Sequence, residues 1–450
     1  MSRVLLTTMP VHRDIDNPGM RTIPPMAMYL LASVLRENGY SVKTLDPSVI
    51  RKMESFNLPS EQFTSILKDA LEGIDVVGIS ANTATWGVAR LAAMEIARLR
   101  PEIPIVFGGV HANYFDKYIL RTTPATFVIR GEGEVGLIEL LEALDGKRKF
   151  EEVVGLTWKR SGEIIQNSSR PWQKFNEIEP LPLPAFDLLP EKVYYTMPIE
   201  TSRGCRFSCR FCSVPRRSCW EGFDPEWVTN RITKLVKTYR NKFIEDTIYF
   251  VDDCFTVLGE RAESILKGIE KASPESKLVM EARATDLLQP GLLEAIPKHM
   301  LIRLAIGVEC GYDEGLKKIG KGLTVKELIL CLEKIEKAEL MKYTYFSFII
   351  GFPWESEEEC LKTVQFAANL VMEYGATVNL NWLFLLPSRL WFEREEFGIG
   401  IDESAFDDPL YIFDNKNFFI THPNISLESY NKIEKIIDSY KAIGCPLRSP

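Results

Sequence analysis

The chain reads as an α/β protein in two parts: an N-terminal doubly wound parallel-sheet domain, then a partial (β/α)6 barrel with a short C-terminal extension. Three observations predict this. Short β-branched runs alternate with amphipathic stretches from Arg3 to about Leu144. A second alternation of strand and helix patterns begins at Met197. Between them Pro171, Pro180, Pro182, Pro184 and Pro190 crowd a segment that can neither continue a helix nor sit inside a sheet. The expected limits are 1–145 for the first domain, whose winding is Rossmann-like, 146–190 for a hairpin and Pro-rich linker, 191–399 for the barrel and 400–450 for the extension.

In the first domain the expected strands are Val4 to Thr8, Ser41 to Leu45, Val76 to Ser80, Ile103 to Phe107 and Phe127 to Ile129. Apolar residues at helical spacing mark Met26 to Glu37, Glu61 to Leu71, Ala84 to Leu99 and Glu134 to Leu144. Ligands of doubly wound sheets sit beyond the carboxyl ends of the strands. Those ends carry Thr8, then Ser80, Asn82 and Thr83, then Gly108, Gly109 and His111, then Gly131 and Glu132. Glycines there let a backbone approach a bulky ligand, and small polar side chains bond it without filling space. His111 has a plainer reading, as a loop residue packed beside Gly109.

A hairpin of Val153 to Trp158 and Glu163 to Asn167 should turn at Ser161-Gly162. Past the prolines, strands are expected at Met197 to Thr201, Thr247 to Val251, Leu278 to Ala282, Leu301 to Val308, Tyr343 to Gly351 and Thr377 to Leu385. Helices should fill about Pro225 to Asn241, Glu260 to Ala272, Pro290 to Ile296, Thr324 to Ala338 and Glu355 to Glu373. Catalytic groups in barrels come from the carboxyl ends of the strands, and that is where the polar strings fall. After about Gly400 come an aromatic-rich stretch, Tyr411 to Phe419, and a helix near Leu427 to Ala442, placed either to close the open barrel or simply to pack.

Composition sets outer bounds. The 450 residues, 46% apolar and 26% charged, suit a soluble globular protein of two to three domains. No uninterrupted apolar run is long enough for a membrane span, and nothing from Met1 onward reads as a secretory signal, so a cytoplasmic location is expected. A formal charge of −8 argues against nucleic acid as a partner. The local cluster Arg203, Arg206, Arg210, Arg216 and Arg217 reads either as support for the neighbouring cysteines or as an anion site.

Those cysteines carry the chemistry. Cys205, Cys209 and Cys212 follow the first barrel strand in the spacing C-x3-C-x2-C. A cubane [4Fe–4S] cluster is usually held by four thiolates, so a loop of three leaves one iron open to a small chelating molecule. Zinc or buried thiols are the alternatives; zinc usually wants a second ligand pair, which the chain lacks. The remaining cysteines, Cys219, Cys254, Cys310, Cys331, Cys360 and Cys445, stand singly.

With Phe211 just before its last cysteine, the loop resembles the signature of the radical S-adenosylmethionine (SAM) superfamily. The order Gly108-Gly109-Val110-His111 and Gly131-Glu132-Gly133-Glu134 is similar to the cobalamin-binding domain that precedes many radical SAM domains. The resemblance implies a [4Fe–4S] cluster on the three cysteines, SAM on the open iron, Phe211 flanking the adenine, and Glu281 and Arg283 reaching the methionine or ribose. It implies Glu309 near the ribose, and closing strings at Lys318 to Gly322 and Phe348 to Pro353, including Gly351. Asp252, Asp253, Glu309 and Cys310 are the candidate catalytic residues. More ordinary roles stand beside these: caps by Asp252 and Asp253, a Glu309–Arg283 pair, a bend at Gly351-Phe352-Pro353, and a small buried thiol at Cys310.

Two departures matter. The D-x-H-x-x-G histidine of mutase-type cobalamin domains is missing, the nearest stretch being His12 to Asp16, so cobalamin should bind with no histidine on cobalt. Leu386-Pro387-Ser388-Arg389 replaces a Pro-Gly-Thr-type turn, which sets Arg389 against an anionic substrate or against Glu393 or Glu395.

The resemblance implies an enzyme that forms a 5′-deoxyadenosyl radical from SAM, with methyl transfer to an unactivated carbon (or phosphinate phosphorus) of a small molecule or peptide. The alternatives are a cyclase, dehydratase or dehydrogenase without methyl transfer, with or without cobalamin in its first domain, and a cobalamin or cluster sensor without turnover. A methylthiotransferase fits less well, since no cysteine precedes Cys205. An electron donor such as flavodoxin or ferredoxin is implied as a partner.

Overall fold

The computed structural model describes residues 2–10, 23–47, 60–411 and 422–448. The chain divides into two compact units: Met1–Thr196 with Tyr239–Glu245 and Ile401–Ile412, and Met197–Thr238 with Asp246–Gly400 and Phe413–Pro450. Both are α/β.

The first unit is built on a seven-stranded sheet. Its parallel strands are β1 (Arg3–Thr8), β2 (Ser41–Leu45), β3 (Val76–Ser80), β4 (Ile105–Gly108) and β5 (Phe127–Ile129). The hairpin β6 (Leu156–Arg160) and β7 (Glu163–Gln166) adds antiparallel to β5, giving the order β2-β1-β3-β4-β5-β6-β7. Val4, Leu5, Val77 and Ile79 are almost wholly buried, as strands covered on both faces require. The helices are α1 (Met26–Glu37), α2 (Glu61–Ala70), α3 (Thr83–Leu99), α4 (Val110–Thr122), α5 (Gly133–Leu144) and the single turn α6 (Phe175–Ile178). Strand order reverses between β1 and β3, so the crevice for a ligand opens where Thr8 and Ser80 end their strands.

Helix α4 is absent from the sequence-based expectation. It starts directly behind Gly109 with no side-chain cap and is kinked at Phe115, so neither a cap nor a clean period announces it. The hairpin is fastened by a buried polar knot: the Asp116 carboxylate accepts from Thr157 (2.5 Å) and Gln166 (2.7 Å) and lies 3.3 Å from the Arg130 guanidinium.

The second unit opens with β8 (Met197–Ile199) and a two-stranded ribbon, β9 (Ser202–Arg203) and β10 (Glu221–Gly222), which brackets the cysteine loop. Strands β11 (Thr247–Phe250), β12 (Lys277–Ala282), β13 (Leu301–Glu309), β14 (Thr344–Ile350) and β15 (Thr377–Trp382) complete a parallel sheet in the order β15-β14-β13-β12-β11-β8. No pairing joins β8 to β15 among the described residues, so this is an open partial barrel. Its helices are α7 (Pro225–Tyr239), α8 (Gly259–Ala272), α9 (Ala284–Leu287), α10 (Asp313–Ile319), α11 (Val325–Lys337), α12 (Glu357–Tyr374), α13 (Arg389–Phe392) and α14 (Leu427–Ala442). The helix expected at Pro290 to Ile296 is a run of turns instead, with Gly291 at φ +82° breaking it. Seven-residue α10 is too short to show a period.

The last fifty residues do not form one extension. Phe406 is buried beside His111 and Phe115 in the first unit, where Asp407 accepts from Trp86 Nε1 (2.9 Å) and Tyr118 Oη (2.8 Å) and pairs with Arg90. Helix α14 packs on α12 in the second unit. Of the aromatic-rich stretch, only Tyr411 is described; 412–419 lie outside the described residues, as does His12 to Asp16. Among the described residues no helix is long and apolar enough to cross a membrane.

Candidate functional site

The cysteine loop begins at Gly204, whose φ of +77° favours glycine and whose missing side chain leaves room for Arg216 and the Cys219 carbonyl. Two carboxylates at the end of β11 hold the base of this loop. Asp252 accepts from the Thr201 amide (3.2 Å) and from the Thr201 (2.8 Å) and Ser202 hydroxyls, and Asp253 accepts from the Gly204 amide (3.1 Å). They thus reach back to the loop rather than capping the segment after β11. Burial pushes the Asp252 carboxyl up to about 6 against these hydrogen bonds, which pull it down.

The far side of the loop is fixed by Arg210. Its guanidinium grips Glu393 through Nε (3.0 Å) and Nη2 (2.6 Å) and lies over the rings of Trp354 and Phe397. Its amide donates to the Ile319 carbonyl, and its own carbonyl accepts from Leu390. Arg389 also bonds Glu393 (2.6 Å), one of the two carboxylates considered for it. The basic cluster therefore supports the cysteines at this position.

Within the loop Cys209 is buried, and Cys205 and Cys212 are partly open. Arg283 Nη1 lies 3.6 Å from the Cys209 sulfur, Nη2 donates to the Lys321 carbonyl, and the guanidinium stacks 3.6 Å over Phe207. Arg283 Nε is buried without a hydrogen-bond partner among the described residues. The neighbouring Cys254 thiol pulls the Cys205 thiol down, whereas burial pushes Cys212 up to about 11. Among the described residues no three His, Cys, Asp or Glu side chains converge on a point that a single ion would fill. The thiolates of a cubane need not do so, since each holds a different iron. Three thiols on one loop, an arginine against one of them and that arginine's unpartnered buried Nε fit a cluster with a bound organic ligand.

Around the rim, Phe211 meets Phe352 edge-on at 6.0 Å, and Glu281 accepts from Tyr249 Oη (2.7 Å). Glu309 has a φ of +74°, unusual for a residue with a side chain, and a buried ion pair with Lys321 (2.8 Å) holds it there. The Glu309–Arg283 pairing considered from the sequence does not occur. The Gly351 and Phe352 amides both donate to Glu355 (2.7 and 2.9 Å), to which Tyr312 Oη also donates (3.0 Å). Burial pushes this carboxyl up to about 7. Neutral His422 donates from Nε2 to the Phe352 carbonyl. Cys310 is wholly buried against Thr363 and the Tyr312 carbonyl, its thiol pushed up to about 12 by burial. Its burial is that expected of a packing thiol.

In the first unit, Thr8 donates to the Ser80 carbonyl (3.2 Å), Asn82 caps α3 by a reciprocal box with Thr85, and Thr83 bonds His111 Nδ1 (3.2 Å). Gly109, at φ +95°, would put a Cβ 2.6 Å from the Ala81 carbonyl oxygen. Asn113 ties the two glycine loops together, donating to the Gly109 carbonyl (3.0 Å) and accepting from the Gly131 amide (2.6 Å). Glu132 accepts from the Gln173 amide (2.6 Å). Nothing lies within 4 Å of where a Cβ of Gly108 or Gly131 would stand, so this edge is bare backbone open to a broad ligand. His111 stacks on Trp86 at 4.6 Å, is wholly buried, and is driven down to about 3 by burial. It lies in α4 within the core, stacked on Trp86, rather than in a loop beside Gly109.

Sequence reasoning missed Lys321 as Glu309's partner, and it missed Glu355, Asn113 and His422. Each is polar and unremarkable in sequence; its role exists only through the partners that the fold brings to it.

Comparison with known proteins bears on both units. The Radical SAM superfamily model matches residues 199–367, and the B12 binding domain model matches 21–141. An uncharacterized methyltransferase of Pyrococcus horikoshii is 30% identical over 381 residues, 83% of this chain and 79% of that protein. The anaerobic magnesium-protoporphyrin IX monomethyl ester cyclase of Cereibacter sphaeroides is 25% identical over 367 residues, 76% of this chain but only 56% of its own length. The radical SAM methyltransferase TsrM of Kitasatospora setae, solved with tryptophan and a SAM analogue, shares the fold with a TM-score of 0.69, 16% identity, and coverage of 98% of this chain and 89% of that one. Together with the open tripod of thiols and the bare glycine edge, these matches establish that the chain belongs to the cobalamin-dependent radical SAM enzymes, whose cofactors are a [4Fe–4S] cluster, SAM and cobalamin.

Proposed function

We propose that this enzyme transfers a methyl group to an unactivated carbon (or phosphinate phosphorus) of a small molecule or peptide. The observation that carries the reading is the methyltransferase relative that matches four-fifths of this chain and nearly as much of itself. When bound, the cluster and SAM supply a 5′-deoxyadenosyl radical and cobalamin supplies the methyl group.

In this reading Cys205, Cys209 and Cys212 hold three irons. The cation of Arg283 offsets thiolate charge at Cys209, and its free Nε is available to the SAM carboxylate. Phe211 flanks the adenine, and the strained Glu309, braced by Lys321, meets the ribose hydroxyls. Asp252 and Asp253 act by positioning the loop and touch no reactant. In the first unit Gly108, Gly109 and Gly131 form the bed for the corrin, with Thr8, Ser80, Asn82 and Thr83 beside it. A low-potential one-electron protein of the flavodoxin or ferredoxin kind supplies reducing power.

The experiment is product analysis of anaerobic, reduced enzyme given SAM and candidate substrates. Methyl transfer yields S-adenosylhomocysteine and 5′-deoxyadenosine in comparable amounts. Because the relatives include a cyclase, a non-methylating enzyme is the second reading; 5′-deoxyadenosine with little S-adenosylhomocysteine would establish it.

A further inference from the structure

Parallel sheets are ordinarily covered on both faces, and their strands read as continuous apolar runs. Two neighbouring strands of the second unit depart from this. In β14, Thr344, Phe346, Phe348 and Ile350 are buried while Tyr345, Ser347 and Ile349 are half-buried. In β15, Val378, Leu380 and Trp382 are buried while Asn379 and Asn381 are half-buried. The alternation leaves one face of these strands accessible and makes it polar. Asparagine suits a strand poorly, and two at alternate positions weaken it unless their side chains find partners. Among the described residues the side chains of Ser347, Asn379 and Asn381 have none.

Register brings these groups together. Gly307 of β13, Ser347 of β14 and Asn379 of β15 are direct neighbours on one rung, and Asn381 follows beside Ile349 toward the carboxyl ends, where barrel sites lie. On Gly307 a Cβ would run into Glu309 Oε1 and come within 3.0 Å of Lys321 Nζ. The buried Glu309–Lys321 pair therefore lies against the same rung as Ser347 and Asn379.

Resting on the proposed function, in which Glu309 meets the SAM ribose, we propose that Ser347, Asn379 and Asn381 bind the substrate, and that the substrate is a small water-soluble molecule whose amide or hydroxyl groups hydrogen-bond to them. Each asparagine offers a carbonyl acceptor and an amide donor, and the serine hydroxyl serves as either, so the set matches neutral groups that both give and take hydrogen bonds. An apolar substrate would cover the three side chains and leave them unpaired, at the cost of their desolvation.

The test measures 5′-deoxyadenosine release by anaerobically reconstituted, reduced full-length enzyme with SAM. To it is added the aqueous or the organic layer of a protein-free methanol–chloroform extract of the cells that make the protein. The aqueous layer is expected to stimulate release and the organic layer is not. Asn379→Val and Ser347→Ala should each need roughly ten times as much aqueous layer for half-maximal stimulation. Neither substitution removes an internal hydrogen bond, and valine suits a strand, so the thermal unfolding midpoint of Asn379→Val should equal or exceed that of wild type. Peptidase treatment of the aqueous layer abolishes stimulation if the bound groups are the amides of a peptide, and leaves it if they belong to a hydroxylated small molecule. Stimulation by the organic layer alone, or by neither layer, overturns the inference. So do variants that respond as wild type does, or an Asn379→Val midpoint that falls as the response is lost, since the side chain would then serve the fold. Stimulated 5′-deoxyadenosine release without S-adenosylhomocysteine would instead overturn methyl transfer and leave the substrate's class as inferred.

Discussion

At the scale of single residues, charge buried beside backbone does most of the shaping. Glu355 turns a glycine-containing bend into a rigid corner by taking two amides, a tyrosine hydroxyl and the Cys360 thiol. Its carboxyl is raised from 4.5 to about 7, mainly by burial, so between those values the folded state holds more protons than the unfolded one. Stability attributable to this group is therefore greatest below pH 4.5 and falls as pH rises through about 7, by roughly 3 kcal/mol in all. Urea denaturation across that range, comparing wild type with Glu355→Gln, should show the difference sloping with pH and flattening above 7.5. A second prediction concerns Lys321→Met, which leaves Glu309 charged, buried and alone. It should cost about 3 to 5 kcal/mol at pH 7.5 and weaken SAM binding measured by calorimetry, whereas the double variant Glu309→Gln, Lys321→Met recovers much of the stability and none of the binding.

Among elements, the informative ones are those that attach to places the chain order does not suggest. The 3₁₀ turn Glu403–Asp407 lies in the first unit although it follows the barrel in sequence, and Asp407 is its fastener. Asp407→Ala removes acceptors from Trp86 and Tyr118 and the partner of Arg90. Limited proteolysis should then cut near 401–411 several times faster, while hydrogen exchange in β1 and β3 stays as in wild type. The loop between β9 and β10 shows the converse case. Its carboxylates sit two and three residues past β11, where barrel catalytic groups are expected, yet they bond backward and serve the loop.

For the whole molecule, ligand linkage is the accessible property. A ligand that binds only the folded first unit stabilises it by RT ln(1 + [L]/Kd), about 2.7 kcal/mol at a hundredfold excess over Kd. Hydroxocobalamin should therefore raise an unfolding midpoint in proportion to the logarithm of its concentration. Protection from hydrogen exchange should concentrate around Gly108 and Gly131, where the backbone is bare. No such shift, or protection spread evenly over both units, would count against the glycine edge as the corrin bed.

By itself the sequence determined what depends on near neighbours: alternating patterns made the strands and long helices legible, and the spacing of Cys205, Cys209 and Cys212 made the open cluster legible. It even held the bare edges, since a glycine at a strand end has the same meaning wherever the chain runs. Only the tertiary structure decided which polar groups meet. Lys321 takes Glu309 while Arg283 turns to a thiol, His111 passes into the core behind Trp86, and Glu403–Asp407 leaves the barrel for the first unit. The physical reason is that a buried charge or hydrogen-bond donor takes the partner that desolvation and packing bring to it, and that partner's distance along the chain leaves no trace in local sequence.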